Sequence, residues 1–386
     1  MNLKKIYFLF LVFFIYYILS PTILIKYYQI NEVPINAVQY YLEGLLHKTQ
    51  NDIPDIYKFI GERIYLYKKI HNENYKYYEI FSICFLFFFT LILYNFFKKV
   101  KSNYPKFIIK DNNIIFALMS TICIFFLLKD LLLIINYYYS TKIILREELY
   151  DLINNRKTYL NILIFASVIN FKLSKKLSYL SYSLILLYDV LSLSRYSIFI
   201  LTIMHYFINV DFNRKNIIKW FYFFLIIFSV IFYRTIIQNR HIITSFSDSF
   251  DVRLGSEITF ENLQNITLQN FFMENVKFIL RDFFYLDFSN INLLQKKDFP
   301  IFSARGIDTI ICYFFVFIIY IISLFILIIN IKISVEFINC SVIFLLISLF
   351  RGNFVHNLNF VIKLYLLVLF IQWLIKILRQ LKLKVA

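Results

Sequence analysis

Ten apolar runs recur along this 386-residue chain, at about residues 6–25, 78–97, 114–135, 158–171, 177–192, 195–210, 217–236, 309–329, 334–350 and 357–376. A helix rises about 1.5 Å per residue, so roughly twenty apolar residues cross the hydrocarbon of a bilayer. Each backbone amide in that medium must find its partner within its own segment or a closed barrel, and runs of this length meet the demand as helices. The pattern predicts an all-α polytopic membrane protein, a single integral membrane domain over residues 1–386 with about 10 transmembrane helices. Composition agrees, because 60% of the residues are hydrophobic, whereas a soluble domain averages near half. The fourth, fifth and sixth runs are short, so residues 177–210 must form a tight or partly re-entrant hairpin.

Charge assigns the sides. With Lys4 and Lys5 in the cytoplasm, lysines should fill alternate loops, and they do. Lys98, Lys99, Lys101, Lys106 and Lys110 follow the second run, and Lys172, Lys175 and Lys176 the fourth. Arg214, Lys215 and Lys219 follow the sixth, Lys332 the eighth, and Lys376, Arg379, Lys382 and Lys384 the tenth. Both termini are therefore expected inside, and the Lys-rich first run is expected to be an uncleaved span. Three outer loops result, at about 26–77, 136–157 and 237–308. The last and largest lies between spans seven and eight. Its stretch 261–288 has helical apolar spacing and reads as an amphipathic helix on the outer membrane surface or over a cavity.

Against that topology the arginines stand out. Of 12 arginines only Arg214 and Arg379 fall inside, against 16 lysines. Arg63, Arg146, Arg156, Arg195, Arg234, Arg240, Arg253, Arg281, Arg305 and Arg351 fall in outer loops or near the outer ends of spans. A guanidinium grips phosphate through a planar fork where an ammonium is a point charge. Arg195, in "DVLSLSRYSIFI", Arg234 and Arg351 share one depth at the outer rim, and with Arg305 they are the candidate phosphate ligands. The net charge of +17 is dispersed over short loops and no nucleic-acid-binding motif occurs, so no nucleic-acid partner is expected.

Five glycines and five prolines in the whole chain argue for mostly unbroken helices. The four cysteines all sit in apolar runs at no metal-ligand spacing, so neither a metal nor a cofactor is expected. Lys129-Asp130, inside the third run, reads as a self-paired buried couple, with a place in the acceptor site as the alternative. Asp189 is within reach of Arg195 across the hairpin turn. Outer groups able to take a proton are His241, His356, Asp248, Asp251, Glu257, Asp282 and Asp308. His356 is favoured, because His356, Asn359 and Lys363 share one helix face in an otherwise apolar run. His241, beside Arg240, is the second choice.

The segment "LSLSRYSIFILTIMHYF" resembles the Ser-Arg element near the middle of O-antigen and capsular polysaccharide repeat-unit polymerases of the Wzy type, within the C-type glycosyltransferase superfamily. The motif covers Ser194 and Arg195; the layout of ten or more spans and a large external loop covers the whole chain. The resemblance implies a metal-independent glycosyltransferase of the bacterial inner membrane. Such an enzyme joins undecaprenyl-pyrophosphate-linked oligosaccharides at the periplasmic face, with a chain-length regulator as a possible partner. O-antigen ligases share the outline and carry a His-Asn pair, for which His356-Asn357 is the match. A lipid-linked oligosaccharide flippase is the other alternative, although no internal repeat is visible.

Overall fold

A computed structural model describes residues 3–15, 75–102, 109–140, 158–172, 174–192, 194, 196–211, 216, 218–223, 225–226, 229, 247–284, 306–330, 334–350 and 354–385. Among them there are helices and no strands. In chain order the helices are α1 (Leu3–Phe14), α2 (Tyr75–Ser102), α3 (Ile109–Ser140), α4 (Thr158–Asn170), α5 (Lys175–Leu191) and α6 (Tyr196–Asn209). They continue with α7 (Ser247–Asn265), α8 (Leu268–Phe284), α9 (Gly306–Cys312), α10 (Phe314–Asn330), α11 (Val335–Phe350) and α12 (Phe354–Val385).

The centre is α11. Its sequence, VEFINCSVIFLLISLF, is apolar all round, and a helix of that kind is stable only when enclosed. Its residues from Cys340 to Phe350 are all buried, against α1, α2, α4, α6, α9 and α12. Around this hub the helices show the opposite of a water-soluble pattern. On α3 the stripe Ile115, Met119, Cys123, Leu127, Leu131 and Ile134 packs inward, while Leu118, Ile122, Phe125 and Leu132 face out. On α12 Phe370, Trp373 and Leu374 face out likewise. Apolar faces this continuous need hydrocarbon around them.

Among the described residues, two helices are long and apolar enough to cross a membrane alone, Ile114–Ser140 and Phe354–Leu378. Shorter apolar helices are Tyr77–Ile92, Thr158–Asn170, Tyr196–Asn209 and Val335–Phe350. The expected unbroken helix at 309–329 is corrected. Gly306–Cys312 and Phe314–Ile329 meet at 105°, with Tyr313 at the bend and neither Gly nor Pro there. Side chains hold α9 aslant instead. Buried Asp308 accepts from Tyr78 Oη at 2.7 Å and Ser256 Oγ at 3.1 Å. Thr309 Oγ1 accepts from Phe354 N, the first residue of α12, at 3.0 Å. Backbone bonds from Tyr313 N to Thr309 O and from Phe317 N to Tyr313 O run through the bend and pair these two amides.

The hairpin of α5 and α6 is tight, as its length requires. Ser192 N and Ser194 N donate to Tyr188 O and Asp189 O, closing the turn. Asp189 Oδ2 accepts from Ile198 N at 2.7 Å, which satisfies one of the open amides at the start of α6. This bond gives Asp189 a capping role; Arg195 itself lies outside the described residues. Asp189→Ala is expected to lower stability by about 0.5–2 kcal/mol, read as a lower melting temperature in detergent. At the other end of α6, Lys5 Nζ donates to Phe207 O at 2.9 Å and Val210 O at 2.6 Å, closing its last carbonyls.

Two further expectations change. Asp130 is not paired with Lys129: its carboxylate takes the Tyr159 hydroxyl of α4, and Lys129 is exposed. Adjacent helix positions point about 100° apart, so neighbours in sequence do not face each other. The stretch 261–288 is not one helix either. It breaks at Ile266-Thr267, where Thr267 O accepts from Phe271 N and Thr267 Oγ1 from Asn270 N, so Thr267 opens α8 as a cap. The amphipathic character of α8 is real, with the polar groups inward. Glu274, Asn275 and Asp282 are buried against the protein, while Leu268, Phe272 and Met273 face out. Phe271 and Phe272 meet Phe315 of α10, so the outward face of α8 continues that of α10.

Candidate functional site

The polar underside of α8 brings Asp282 onto α12. Asp282 is in the last turn of α8, where backbone carbonyls lack intrahelical partners. Its carbonyl oxygen accepts from Asn359 Nδ2 at 3.0 Å and from Lys363 Nζ at 2.7 Å. Its carboxylate meets His356 Nδ1 through Oδ1, and its Oδ2 accepts from Asn359 Nδ2 at 2.8 Å and Tyr320 Oη at 3.5 Å. The face of α12 read from spacing, His356, Asn359 and Lys363, thus converges on a single residue of α8. A second anchor, Asn275 Nδ2 to Cys312 O at 3.1 Å, ties α8 to the bend before α10.

Burial divides the pair. The Asp282 side chain is 6% exposed and that of His356 61%. The carboxylate is fixed inside the protein and the imidazole reaches out from it. With Nδ1 facing the carboxylate, the paired tautomer carries its acceptor lone pair on Nε2. The arrangement is one in which a buried acid fixes the orientation of an exposed imidazole. Asp282, read from the sequence as a separate candidate base, thus lies in contact with His356. Asp308 and Glu257, also read as candidate bases, are buried at 0% and 2% exposure.

Behind His356 the helix start is built from polar contacts. Asn357 Nδ2 donates to Ser348 Oγ of α11 at 2.8 Å. Gly306 of α9 lies so close to α11 that a Cβ there would stand 2.0 Å from Ser348 O. The ends of α9, α11 and α12 therefore meet at one place. At the same level, Phe13 of α1 contacts Phe350, the last residue of α11, at 5.3 Å and Phe199 in the first turn of α6 at 6.1 Å.

Arg195, Arg234, Arg305, Arg351 and His241 lie outside the described residues. Arg281 is described; it is exposed, with its guanidinium 5.6 Å from the Phe278 ring centroid. Among the described residues no group of three His, Cys, Asp or Glu side chains could hold a metal ion. Sequence reasoning missed Tyr320, whose one signal is a hydroxyl inside FFVFIIYIISLF, and the pairing of Asn357 with Ser348. It reads Asp282 as a candidate base and not as the partner of His356, because a contact 74 residues away in sequence leaves no local spacing. Comparison with protein-family models, curated proteins and solved structures gives no match.

Proposed function

We propose that this protein polymerises undecaprenyl-pyrophosphate-linked oligosaccharide repeat units into O-antigen or capsular polysaccharide at the periplasmic face of a bacterial inner membrane. In this reading the chain crosses ten times with both ends in the cytoplasm, and a chain-length regulator is a natural partner. The observation that carries it is the pairing of exposed His356 with buried Asp282 where α8 meets α12. That is the arrangement a poor nucleophile such as a sugar hydroxyl requires. His356 Nε2 takes the proton of the acceptor hydroxyl as its oxygen bonds to the donor's anomeric carbon. The bond from that carbon to the pyrophosphate breaks, and its electron pair leaves on the pyrophosphate oxygen.

The leaving group gains negative charge, and pre-placed guanidinium groups stabilise such charge strongly in a water-poor rim. Arg195, Arg234, Arg305 and Arg351 are proposed for this role. For Arg195, Arg305 and Arg351, the packing of their chain neighbours supports it. α9 begins one residue after Arg305 and α11 ends one residue before Arg351, and Gly306 abuts Ser348 and Leu349. α6 begins one residue after Arg195, and Phe13 bridges its first turn to the end of α11.

The test is a gel of surface polysaccharide from cells with the intact gene, a deletion, and Arg195→Lys. A single repeat unit on the lipid core in the deletion, with the ladder restored by the intact gene, is the expected result. Arg195→Lys keeps the charge but loses the fork, and a shortened or absent ladder is expected. Long chains left on the carrier would make the protein a ligase, as the His356-Asn357 pair allows. Repeat units trapped inside would make it a flippase.

A further inference from the structure

We infer that a polar layer beside His356 binds hydroxyl groups of the acceptor sugar, with Asn161 as its deepest contact; this rests on the function proposed above. Three helices place aromatic rings at one level. Phe165 of α4 is 5.4 Å from Phe344 of α11 and 6.0 Å from Phe360 of α12, and Phe344 and Phe360 are 5.5 Å apart. One helical turn toward the His356 end, the same side of each helix changes character. α4 carries Asn161, α11 carries Ser348, and α12 carries His356 and Asn357. An apolar floor thus gives way to amide and hydroxyl groups.

The layer has acceptors to spare. Asn161 is 8% exposed, and its Oδ1 is buried and accepts no hydrogen bond. Asn359 is 1% exposed; its Nδ2 is committed to Asp282, while its Oδ1 accepts no bond either. Asn357 and Asn359 lie on opposite sides of His356 around the helix. A buried acceptor without a donor is costly, and a ligand bringing O–H groups relieves that cost. A sugar ring supplies several. A phosphate or carboxylate offers only acceptors and an acyl chain offers neither, so these amide oxygens select for a neutral, hydroxyl-rich ring. Held there, the acceptor presents its reacting hydroxyl to His356, while the charged leaving group stays on the arginine side.

The experiment uses the full-length protein in lipid nanodiscs. The binding probe is the repeat-unit oligosaccharide freed from its carrier by mild acid, and the lipid-linked repeat unit serves for initial rates. Asn161→Leu keeps the side-chain size and removes the amide. The expected result is about tenfold weaker oligosaccharide binding and a similarly raised acceptor KM with kcat little changed. Wild-type affinity and KM in Asn161→Leu would overturn the inference, leaving an internal water as the amide's partner; continued polymerisation by the wild type would leave the proposed function standing. A wild-type protein that neither binds the oligosaccharide nor extends it would overturn both. If Asn161→Leu does not fold, Ser348→Ala decides the matter. A severalfold higher KM at unchanged kcat is expected, and an unchanged KM would count against the layer.

Discussion

Replacing His356 with alanine is expected to slow polymer formation by about 10²–10⁴-fold, the usual contribution of a positioned general base. The protein should remain folded, because the imidazole is largely outside the core, with its side chain 61% exposed. Asp282 keeps Asn359 and Tyr320 on its carboxylate, and Lys363 on its carbonyl, after the change. The loss should therefore appear in kcat and leave the melting temperature near that of the wild type. Asp282→Asn gives a sharper version. It preserves shape but replaces a carboxylate that accepts from Nδ1 with an amide that can donate to it, which favours the wrong imidazole tautomer. Its rate should fall with that of His356→Ala, and the double variant should be no slower than either alone, because the two act as one unit. Initial rates of lipid-linked dimer formation at matched protein amounts check this. Full activity in His356→Ala would remove the base from the account.

The second large effect is on stability. A methyl group at Gly306 would stand 2.0 Å from Ser348 O and 2.7 Å from Leu349 Cα. Both are backbone atoms of the enclosed helix α11, so neither can swing aside. Gly306→Ala must push α9 away, and α9 carries the contacts of Asp308 with Tyr78 and Ser256, and of Thr309 with Phe354 N. Overpacking alone costs about 1–3 kcal/mol, and each buried polar group left unpaired adds roughly 1–3 kcal/mol more. The expected outcome is a large fall in melting temperature and in the yield of monodisperse protein. A Gly306→Ala protein that melts with the wild type would show that α9 does not lie against α11 in this way.

These two predictions differ in how far the sequence foretold them. The polar stripe of α12 was legible, because spacings of three and seven in an apolar run put His356, Asn359 and Lys363 on one side whatever they meet. Its partner was not, since Asp282 comes from another helix and nothing local marks the approach. The membrane character was legible from apolar runs, and the enclosure of α11 follows from its having no polar face. The bend at Tyr313 was illegible by the usual signals. Gly and Pro mark bends that the backbone itself causes, whereas this one is set by Asp308 and Thr309 reaching other helices. Lys129-Asp130 failed for a simpler reason: neighbours in sequence diverge on a helix, and Asp130 found Tyr159 on α4 instead. The break at Thr267 did leave a trace, a threonine capping residue inside the apparent repeat.

The proposed activity is glycosyl transfer between two lipid-linked repeat units, and reconstitution measures it directly. Purified protein in a bilayer is given only the lipid-linked repeat unit, and the products are separated by mass. The account predicts lipid-linked dimers and longer chains, with one undecaprenyl pyrophosphate released for each bond formed, and none of this from His356→Ala. A protein that leaves the repeat units unjoined, or releases the carrier without lengthening any chain, would contradict it.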